Sequence, residues 1–330
     1  MQQTVPASGT PPVSSGRATA VRLSIVVPCY NEEAVLPETL RHLTETLERL
    51  KGLGKIAGES EIILVDDGSH DQTWEVIREA HVRDVRFRGV KLSANRGHQT
   101  ALIAGLWAAS GDAVVSIDAD LQDDLGAMER MVDAYAAGYE IVYGVRSRRA
   151  SDTRFKRSLA GAYYHLLTLF GVRIVRHHAD YRLLSRRALD SLKQYSEVNL
   201  FLRGIVPLMG YRSAIVPYER AARVAGETKY PLRKMLALAF DGITSFSAVP
   251  LRLIAMLGLV VSILSVAMML WVFWVKLATN EALPGWASSV IPIYFLGGIQ
   301  LLSMGVLGEY VAKLYIETKR RPRFFIEETL

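Results

Sequence analysis

The chain is 330 residues long, with 39 Lys and Arg against 33 Asp and Glu, a formal net charge of +6 and half of its residues apolar. That length holds one large domain and an appendage, with ample apolar material for a core. The lone cysteine, Cys29, excludes an intrachain disulfide. The positive charge suits a phosphate-rich ligand or an anionic membrane surface, and the lack of zinc-ligand spacing, a basic heptad region or an RNP-like aromatic signature argues against nucleic acid.

Residues 1–20 are rich in Pro, Ser, Thr, Gly and Ala, carry one charge, Arg17, and lack an apolar stretch of signal-peptide length, so a disordered tail is expected. From residue 23 to about 143, short β-branched runs alternate with amphipathic helical stretches, the pattern of βαβ units in a mostly parallel sheet. Strands are expected over residues 23–27, 61–65, 86–91, 113–117 and 140–143. In open sheets of this kind ligands sit beyond the carboxyl ends of the strands. The unusual residues gather there: Pro28-Cys29-Tyr30-Asn31-Glu32-Glu33, Asp66-Asp67-Gly68-Ser69, Asn95-Arg96-Gly97-His98, and Asp118-Ala119-Asp120-Leu121-Gln122-Asp123-Asp124. Each alone is an ordinary turn or strand exit; four at one edge point to a site. No G-x-G-x-x-G follows the first strand and no Walker lysine motif occurs, which removes support for a dinucleotide or P-loop cradle.

The acidic run needs its own account. Carboxylates this close repel one another unless protons or cations intervene, and hard oxygen ligands at a strand mouth suit Mg²⁺ or Mn²⁺. Asp123 and Asp124 read as an acidic cap on the next helix. Asp118 and Asp120 read as metal ligands, because strand alternation points both the same way and Gln122 follows on that side; the alternative is a strand that simply ends in an acidic cap.

Residues 146–157, from Arg146 to Arg157, are the densest positive run. Such runs are ordinarily solvated faces, but a place just after the last strand favours phosphate binding. A helix is expected over residues 159–170, followed by His177-His178-Ala179-Asp180-Tyr181-Arg182. Adjacent histidines seldom converge on one ion, and Asp180 beside Arg182 fits a structural ion pair. Residues 220–231, with Arg223, Gly226 and Lys229, read as a basic loop, either a cover for a pyrophosphate or a linker.

Residues 230–250 mix apolar side chains with Arg233, Lys234 and Asp241, as an amphipathic helix on a membrane surface would. Residues 253–275 and 286–308 are two charge-free stretches of 23 residues, each long enough to span a bilayer. The segment between them has one lysine, whereas Lys229, Arg233, Lys234 and Arg252 precede the hairpin and Lys313, Lys319, Arg320, Arg321 and Arg323 follow it, which places both termini in the cytoplasm. Trp271, Trp274 and Trp286 suit an interfacial belt at the far ends. Gly297, Gly298, Gly305 and Gly308 allow close helix packing, within the hairpin or between subunits. Residues 314–330 are expected as a cytoplasmic tail, with 321–325 suited to pairing with a neighbouring subunit.

Taken together, Ser24-Ile25-Val26-Val27-Pro28-Cys29-Tyr30-Asn31-Glu32-Glu33, Val65-Asp66-Asp67-Gly68-Ser69, Gly97-His98-Gln99, Asp118-Ala119-Asp120-Leu121-Gln122-Asp123 and Ala179-Asp180-Tyr181-Arg182-Leu183 resemble the inverting family-two glycosyltransferases of GT-A fold. With Gly226-Glu227-Thr228-Lys229-Tyr230 and the hairpin, the chain is similar to the polyprenyl-phosphate glycosyltransferases, which include bactoprenol glucosyltransferases, aminoarabinose-transferring relatives and dolichol-phosphate mannose synthases. The resemblance implies a Rossmann-like GT-A domain over residues 21–229, a juxtamembrane helix over 230–250 and two transmembrane helices within 251–313. It further implies transfer of a sugar from a nucleotide diphosphate to a polyprenyl phosphate on the cytoplasmic face, with Mg²⁺ or Mn²⁺ as cofactor; a homo-oligomer is expected from the 321–325 tail. By position, Pro28, Tyr30, Glu32, Asp67 and Asp118 line the nucleotide site, and Asp118, Asp120 and Gln122 approach the metal. Arg146 and Arg157 hold the acceptor phosphate, Arg223 and Lys229 sit near the donor pyrophosphate, and Asp120 and Asp180 are the catalytic positions. The family often has an aromatic residue where Arg96 stands and a proline where Leu125 stands. The donor implied is UDP-glucose, with a UDP-aminoarabinose derivative or GDP-mannose as alternatives. A processive polysaccharide synthase would carry Gln-x-x-Arg-Trp and more membrane helices, neither of which occurs; a catalytically silent nucleotide-sugar-binding scaffold would tolerate loss of Asp118 and Asp120.

Overall fold

The computed structural model describes residues 20–146, 178–197, 201–219, 249–279 and 285–330. The tail before residue 20, the basic run after Arg146 with Arg157, the helix expected over 159–170, the loop holding Arg223 and Lys229, and the amphipathic segment up to residue 248 lie outside the described residues. The chain forms two compact units, one holding the sheet together with Pro322–Leu330, the other holding the two long apolar helices.

The first unit is an α/β sandwich. Its first half alternates β1 (Leu23–Cys29), α1 (Leu36–Gly52), β2 (Glu61–Asp66), α2 (Thr73–Arg83), β3 (Phe87–Leu92), α3 (His98–Ala108), β4 (Ala113–Ser116), α4 (Gly126–Ala136) and β5 (Ile141–Arg146). Strands β1, β2 and β4 are buried along their whole length, as strands covered on both faces must be. In α1 the buried residues Leu36, Thr39, Leu43, Leu47 and Leu50 recur at three- and four-residue spacing, and Pro37 pre-forms the first turn. Helix α3 lies directly on the sheet: a Cβ on Gly105 would collide with Val26 and stand 2.7 Å from Val65.

The second half adds β6 (His178–Ser185), α5 (Arg186–Leu192), α6 (Leu202–Leu208) and β7 (Ser213–Tyr218), and the chain ends in β8 (Ile326–Thr329). The sheet has eight strands in the order β7-β5-β6-β4-β1-β2-β3-β8. The pairs β1/β2, β1/β4, β2/β3 and β5/β7 are parallel, while β6 runs antiparallel between β4 and β5, and β8 runs antiparallel along β3. This is the Rossmann-like, mostly parallel arrangement of a GT-A domain.

All five strands expected from the sequence are present with shifted ends. Strand β5 extends to Arg146, and β4 stops at Ser116, so strand alternation does not reach Asp118, Asp120 and Gln122. Three strands were not expected. Residues 326–329, read from the sequence as part of a tail, close the edge of the chain's own sheet: Leu330 N donates to Gly89 O (2.9 Å), Ser93 N to Phe325 O (3.0 Å) and Trp74 Nε1 to Glu328 Oε2 (3.1 Å), with Lys91 paired to Glu327 at 3.0 Å. Covering β3 in this way removes an open row of backbone donors and acceptors.

The second unit contains α7 (Val249–Thr279) and α8 (Trp286–Lys319), of 31 and 34 residues. Both are long and apolar enough to cross a membrane, with windows of mean hydropathy 2.3 over Val249–Met268 and 1.3 over Phe295–Lys319. Large apolar side chains such as Met256, Ile263, Trp271, Trp274, Leu301 and Met304 stand exposed along them. The charges of α8, Glu309, Lys313, Glu317 and Lys319, all follow its charge-free residues 286–308.

At the amino ends of the strands, opposite the edge where the motifs collect, Glu61 is buried. Burial alone would raise its carboxyl, but Ser110 (hydroxyl 2.6 Å, amide 2.8 Å), Ser24 (2.7 Å) and Arg88 (2.9 Å) outweigh that and pull it down to about 2. An unfolded glutamate titrates near about 4.3. The group therefore stabilises the fold fully above that value, and the contribution is lost as the pH falls through the folded pKa. Urea unfolding of the full-length protein from pH 7 to pH 3 is expected to show Glu61→Gln less stable than wild type at neutral pH, with the gap narrowing below about pH 4.3; a gap constant with pH would refute this.

Candidate active site

Three loops meet beyond the carboxyl ends of β1, β2 and β3. Asn31, at φ 53°, donates its amide to Ser69 Oγ (3.0 Å) and accepts His70 N on its side chain (2.9 Å). Glu32 N donates to Thr73 Oγ1 (2.8 Å), and Glu33 accepts Gln72 N (2.8 Å). Asp67 is buried, and its two carboxyl oxygens accept Arg96 N (2.8 Å) and Gly97 N (2.9 Å). Burial pushes this carboxyl up, and the two amides oppose the push. Gly68, at φ +66°, comes so close to the third loop that a Cβ would lie 2.6 Å from the Ala94 carbonyl carbon. Pro28 is buried opposite Val65, whereas Tyr30 is exposed with its ring edge-on to His70 at 6.5 Å. The result is a shelf whose shape is held by backbone hydrogen bonds, with Tyr30 and Glu32 at its lip.

Strand β6 supplies the other wall. Its register sets Arg182 beside Ser116, and Asp180 lies close enough to Asp118 for their charges to repel. Ser116 Oγ donates to the Asp180 carbonyl. The Asp180 carboxylate is gripped by Arg182 Nη2 (2.5 Å) and by Arg203 of α6 through Nη2 (3.0 Å) and Nε (3.3 Å). Burial opposes ionisation of Asp180, but Arg182 and Arg203 overwhelm it and hold the carboxyl far below the usual range. Arg182 is fully buried and burial lowers its pKa, with Asp180 opposing; paired to Asp180, the guanidinium stays charged. His98, at the start of α3, bridges the two walls, with Nε2 3.4 Å from Asp118 Oδ1 and 3.8 Å from Asp180 Oδ2.

The acidic segment itself is a turn. Leu121 adopts φ 52° and reverses the chain, so Gln122 and Asp123 point inward and are buried. Gln122 lies in the wall of a cleft with His42, Leu125 and Glu219. Asp123 does not cap the following helix, contrary to the sequence reading. That role belongs to Asp124, whose Oδ1 accepts Gly126 N (2.8 Å). Asp123 Oδ1 instead accepts the Tyr218 hydroxyl at 2.6 Å, and Arg146 Nε donates to the same hydroxyl at 3.2 Å.

Asp118 is the residue whose electrostatics stand out. Burial raises its carboxyl, Asp123, Asp180 and Asp120 raise it further, and His98 opposes them. A site with this excess of hard carboxylate oxygen fits a divalent cation such as Mg²⁺ or Mn²⁺. Among the described residues no three His, Cys, Asp or Glu side chains converge on one point. Asp118 and Asp120 would therefore hold an ion whose other positions are filled by water or ligand oxygens, the usual state of Mg²⁺ in phosphate sites.

Pro28, Tyr30, Glu32 and Asp67 thus share the shelf, Asp118 and Asp180 both approach His98, and Arg146 reaches the Tyr218 hydroxyl beside Asp123. Arg157, Arg223 and Lys229 are outside the described residues. His98 and Arg203, which sequence reasoning did not single out as site residues, complete the pocket. His98 stood in a motif without a role, and Arg203 carries no local signal, since only the pairing of β6 with β4 brings its partner to the site.

Comparison with known proteins gives a consistent picture. Residues 24–192 match the model of glycosyl transferase family 2. The chain is 49% identical over 309 residues to an uncharacterised glycosyltransferase, YkoT, of Bacillus subtilis, covering 92% of this chain and 91% of that protein. It is 38% identical over 308 residues to a prophage bactoprenol glucosyl transferase homolog of Escherichia coli, covering 93% and 99%. Among solved structures, a mannosyltransferase, PcManGT, from Pyrobaculum calidifontis in complex with GDP-Man and Mn²⁺ matches at 18% identity and a TM-score of 0.47, covering 89% of this chain and 88% of that one. The chain belongs to glycosyl transferase family 2.

Proposed function

We propose that the protein transfers glucose from UDP-glucose, with inversion, to the phosphate of a polyprenyl phosphate such as undecaprenyl phosphate, at the cytoplasmic face of the membrane. The observation that carries the reading is the charged cluster of Asp118, His98, Asp180, Arg182 and Arg203 beside the shelf that bears Tyr30, Glu32 and Asp67. Relatives named bactoprenol glucosyl transferase, 38% identical over nearly the whole chain, support the acceptor and the sugar.

The chemistry requires little acid–base help. A phosphomonoester has a second pKa near about 6, so the acceptor is already largely a dianion at neutral pH. Its oxygen attacks the anomeric carbon as the bond to the nucleoside diphosphate breaks, and the diphosphate leaves with the electron pair. The task of the protein is to bring two anions together in line. Pro28, Tyr30, Glu32 and Asp67 hold the nucleoside, Arg146 and Arg157 the acceptor phosphate, and Arg223 and Lys229 the donor pyrophosphate. A divalent ion held by Asp118 and Asp120 would supply neutralisation of the leaving diphosphate. Asp180, held ionised between two arginines, is a poor proton acceptor; it orients Arg203 and, through His98, the Asp118 side of the pocket. Helices α7 and α8 keep the enzyme on the surface where the acceptor resides, which raises the acceptor's effective concentration. The lysine and arginine asymmetry around the hairpin supports a cytoplasmic catalytic unit, and the small residues of α8 suit self-association into a homo-oligomer.

Purified protein given radiolabelled UDP-glucose and undecaprenyl phosphate is expected to pass label into the organic phase, with loss of the signal in EDTA and recovery on adding Mn²⁺ or Mg²⁺. UDP-aminoarabinose derivatives and GDP-mannose, offered in parallel, are expected to be poorer donors; no lipid-bound label from any of them would overturn the reading. Asp118→Asn is expected to lower transfer by roughly 100-fold or more at saturating metal. Asp180→Asn should depress the rate at every pH from 5 to 9 without moving the profile, because the native carboxylate does not titrate there. The same variant leaves Arg182 buried without its partner and is expected to lose about 3 kcal/mol of stability by chemical unfolding.

A further inference from the structure

We propose that Tyr218 is a positioning residue for the acidic turn: its hydroxyl, donated to the buried Asp123 carboxylate, holds residues 118–123 in the conformation that presents Asp118 and Asp120 to a divalent cation. The inference rests on the reading that those two aspartates bind the ion, and it gives the turn a support that lies outside the acidic motif.

The geometry is specific. The Asp123 side chain is 1% exposed, and its Oδ1 accepts the Tyr218 hydroxyl at 2.6 Å while its other oxygen, Oδ2, has no hydrogen-bond partner among the described residues. A buried carboxylate in that state depends heavily on the donor it has. Tyr218 is itself buried and cannot turn away: its ring meets Tyr181 edge-on at 5.3 Å and 80°, and Arg146 donates to its hydroxyl oxygen at 3.2 Å while standing 3.8 Å from Asp123. Tyr181 in turn donates to the Asp124 carbonyl at 3.1 Å, so β6 and β7 grip consecutive residues of the turn from behind. Burial and the contact with Asp123 push the Tyr218 hydroxyl well above its usual range, which keeps it a donor throughout the neutral region. Leu121, at φ 52°, is the pivot, and the bond at Asp123 is a fixed point just beyond it that helps to set the exit direction of the reversal. Tyr218 also ends β7, immediately before the basic segment that contains Arg223 and Lys229, so the strand that leads into that segment is the one that holds the acidic turn.

Groups that orient metal-binding side chains without touching the ion typically change metal affinity by 10- to 100-fold when removed. The test is a Mn²⁺ titration of the full-length protein by water-proton relaxation, independent of turnover, on wild type, Tyr218→Phe, Asp123→Asn and the double variant. Thermal midpoints and the rate as a function of Mn²⁺ are measured on the same samples. Tyr218→Phe is expected to raise the Mn²⁺ Kd and the half-saturating Mn²⁺ for transfer together, by roughly tenfold or more. In the double variant the two losses should not add, because both remove one interaction. The proposal is overturned if wild type does not bind Mn²⁺, if Tyr218→Phe binds it as wild type does whatever the change in thermal midpoint, or if the losses add in full. Wild type that binds Mn²⁺ yet transfers no sugar would defeat the proposed reaction while the titration still decides the role of Tyr218.

Discussion

Concentrating negative charge at one edge of a sheet is the constraint around which this protein is built. Asp67, Asp118, Asp120 and Asp123 lie beyond the carboxyl ends of parallel strands, and Asp180 stands near the amino end of the antiparallel β6 at the same edge; an interior that collects carboxylates must supply each with a proton donor or a counter-charge. The chain does so differently at each position. Asp67 takes two backbone amides, Asp180 takes two guanidinium groups, and Asp123 takes a tyrosine hydroxyl. At Asp118 the compensation is thinner, with His98 at 3.4 Å facing three neighbouring carboxylates. The uneven distribution is what makes that corner suited to a cation.

The topology delivers those partners. A purely parallel continuation after β5 would leave no strand beside β4 to carry Asp180 and Arg182. Inserting β6 antiparallel between β4 and β5 sets the two residues next to the acidic turn and places α5 and α6 directly after them, so that Arg203 arrives within reach. The same insertion leaves β5 to pair with β7, which brings Arg146 and Tyr218 to neighbouring strand ends.

What could be read from the sequence follows from how local each signal is. The β-branched runs of β1, β2 and β4 and the three- and four-residue spacing of Leu36, Leu43, Leu47 and Leu50 are local, so the first half of the sheet and the edge that bears the site were legible. Strand β6 was not, because Asp180 and Arg182 interrupt its apolar pattern and their burial depends on each other rather than on hydrophobicity. Strand β8 was hidden for a similar reason: Glu327 and Glu328 look like a solvated tail until Lys91, Arg78 and Trp74 are seen to receive them. Asp123 was misread as a cap because an acidic residue just ahead of a helix ordinarily serves as one, whereas here the chain reverses at the left-handed Leu121 and buries it.

The closing strand has a consequence for how the molecule is made. Strand β3 emerges from the ribosome long before its neighbour β8, with both long apolar helices translated in between. At ordinary elongation speeds of ~5–20 residues per second, the interval is on the order of 10–50 s. During that time the catalytic unit displays an unpaired β3 edge to every other nascent chain nearby. Completion of the sheet therefore waits until both helices have been synthesised, and a chain lacking residues 326–329 would leave the β3 edge uncovered.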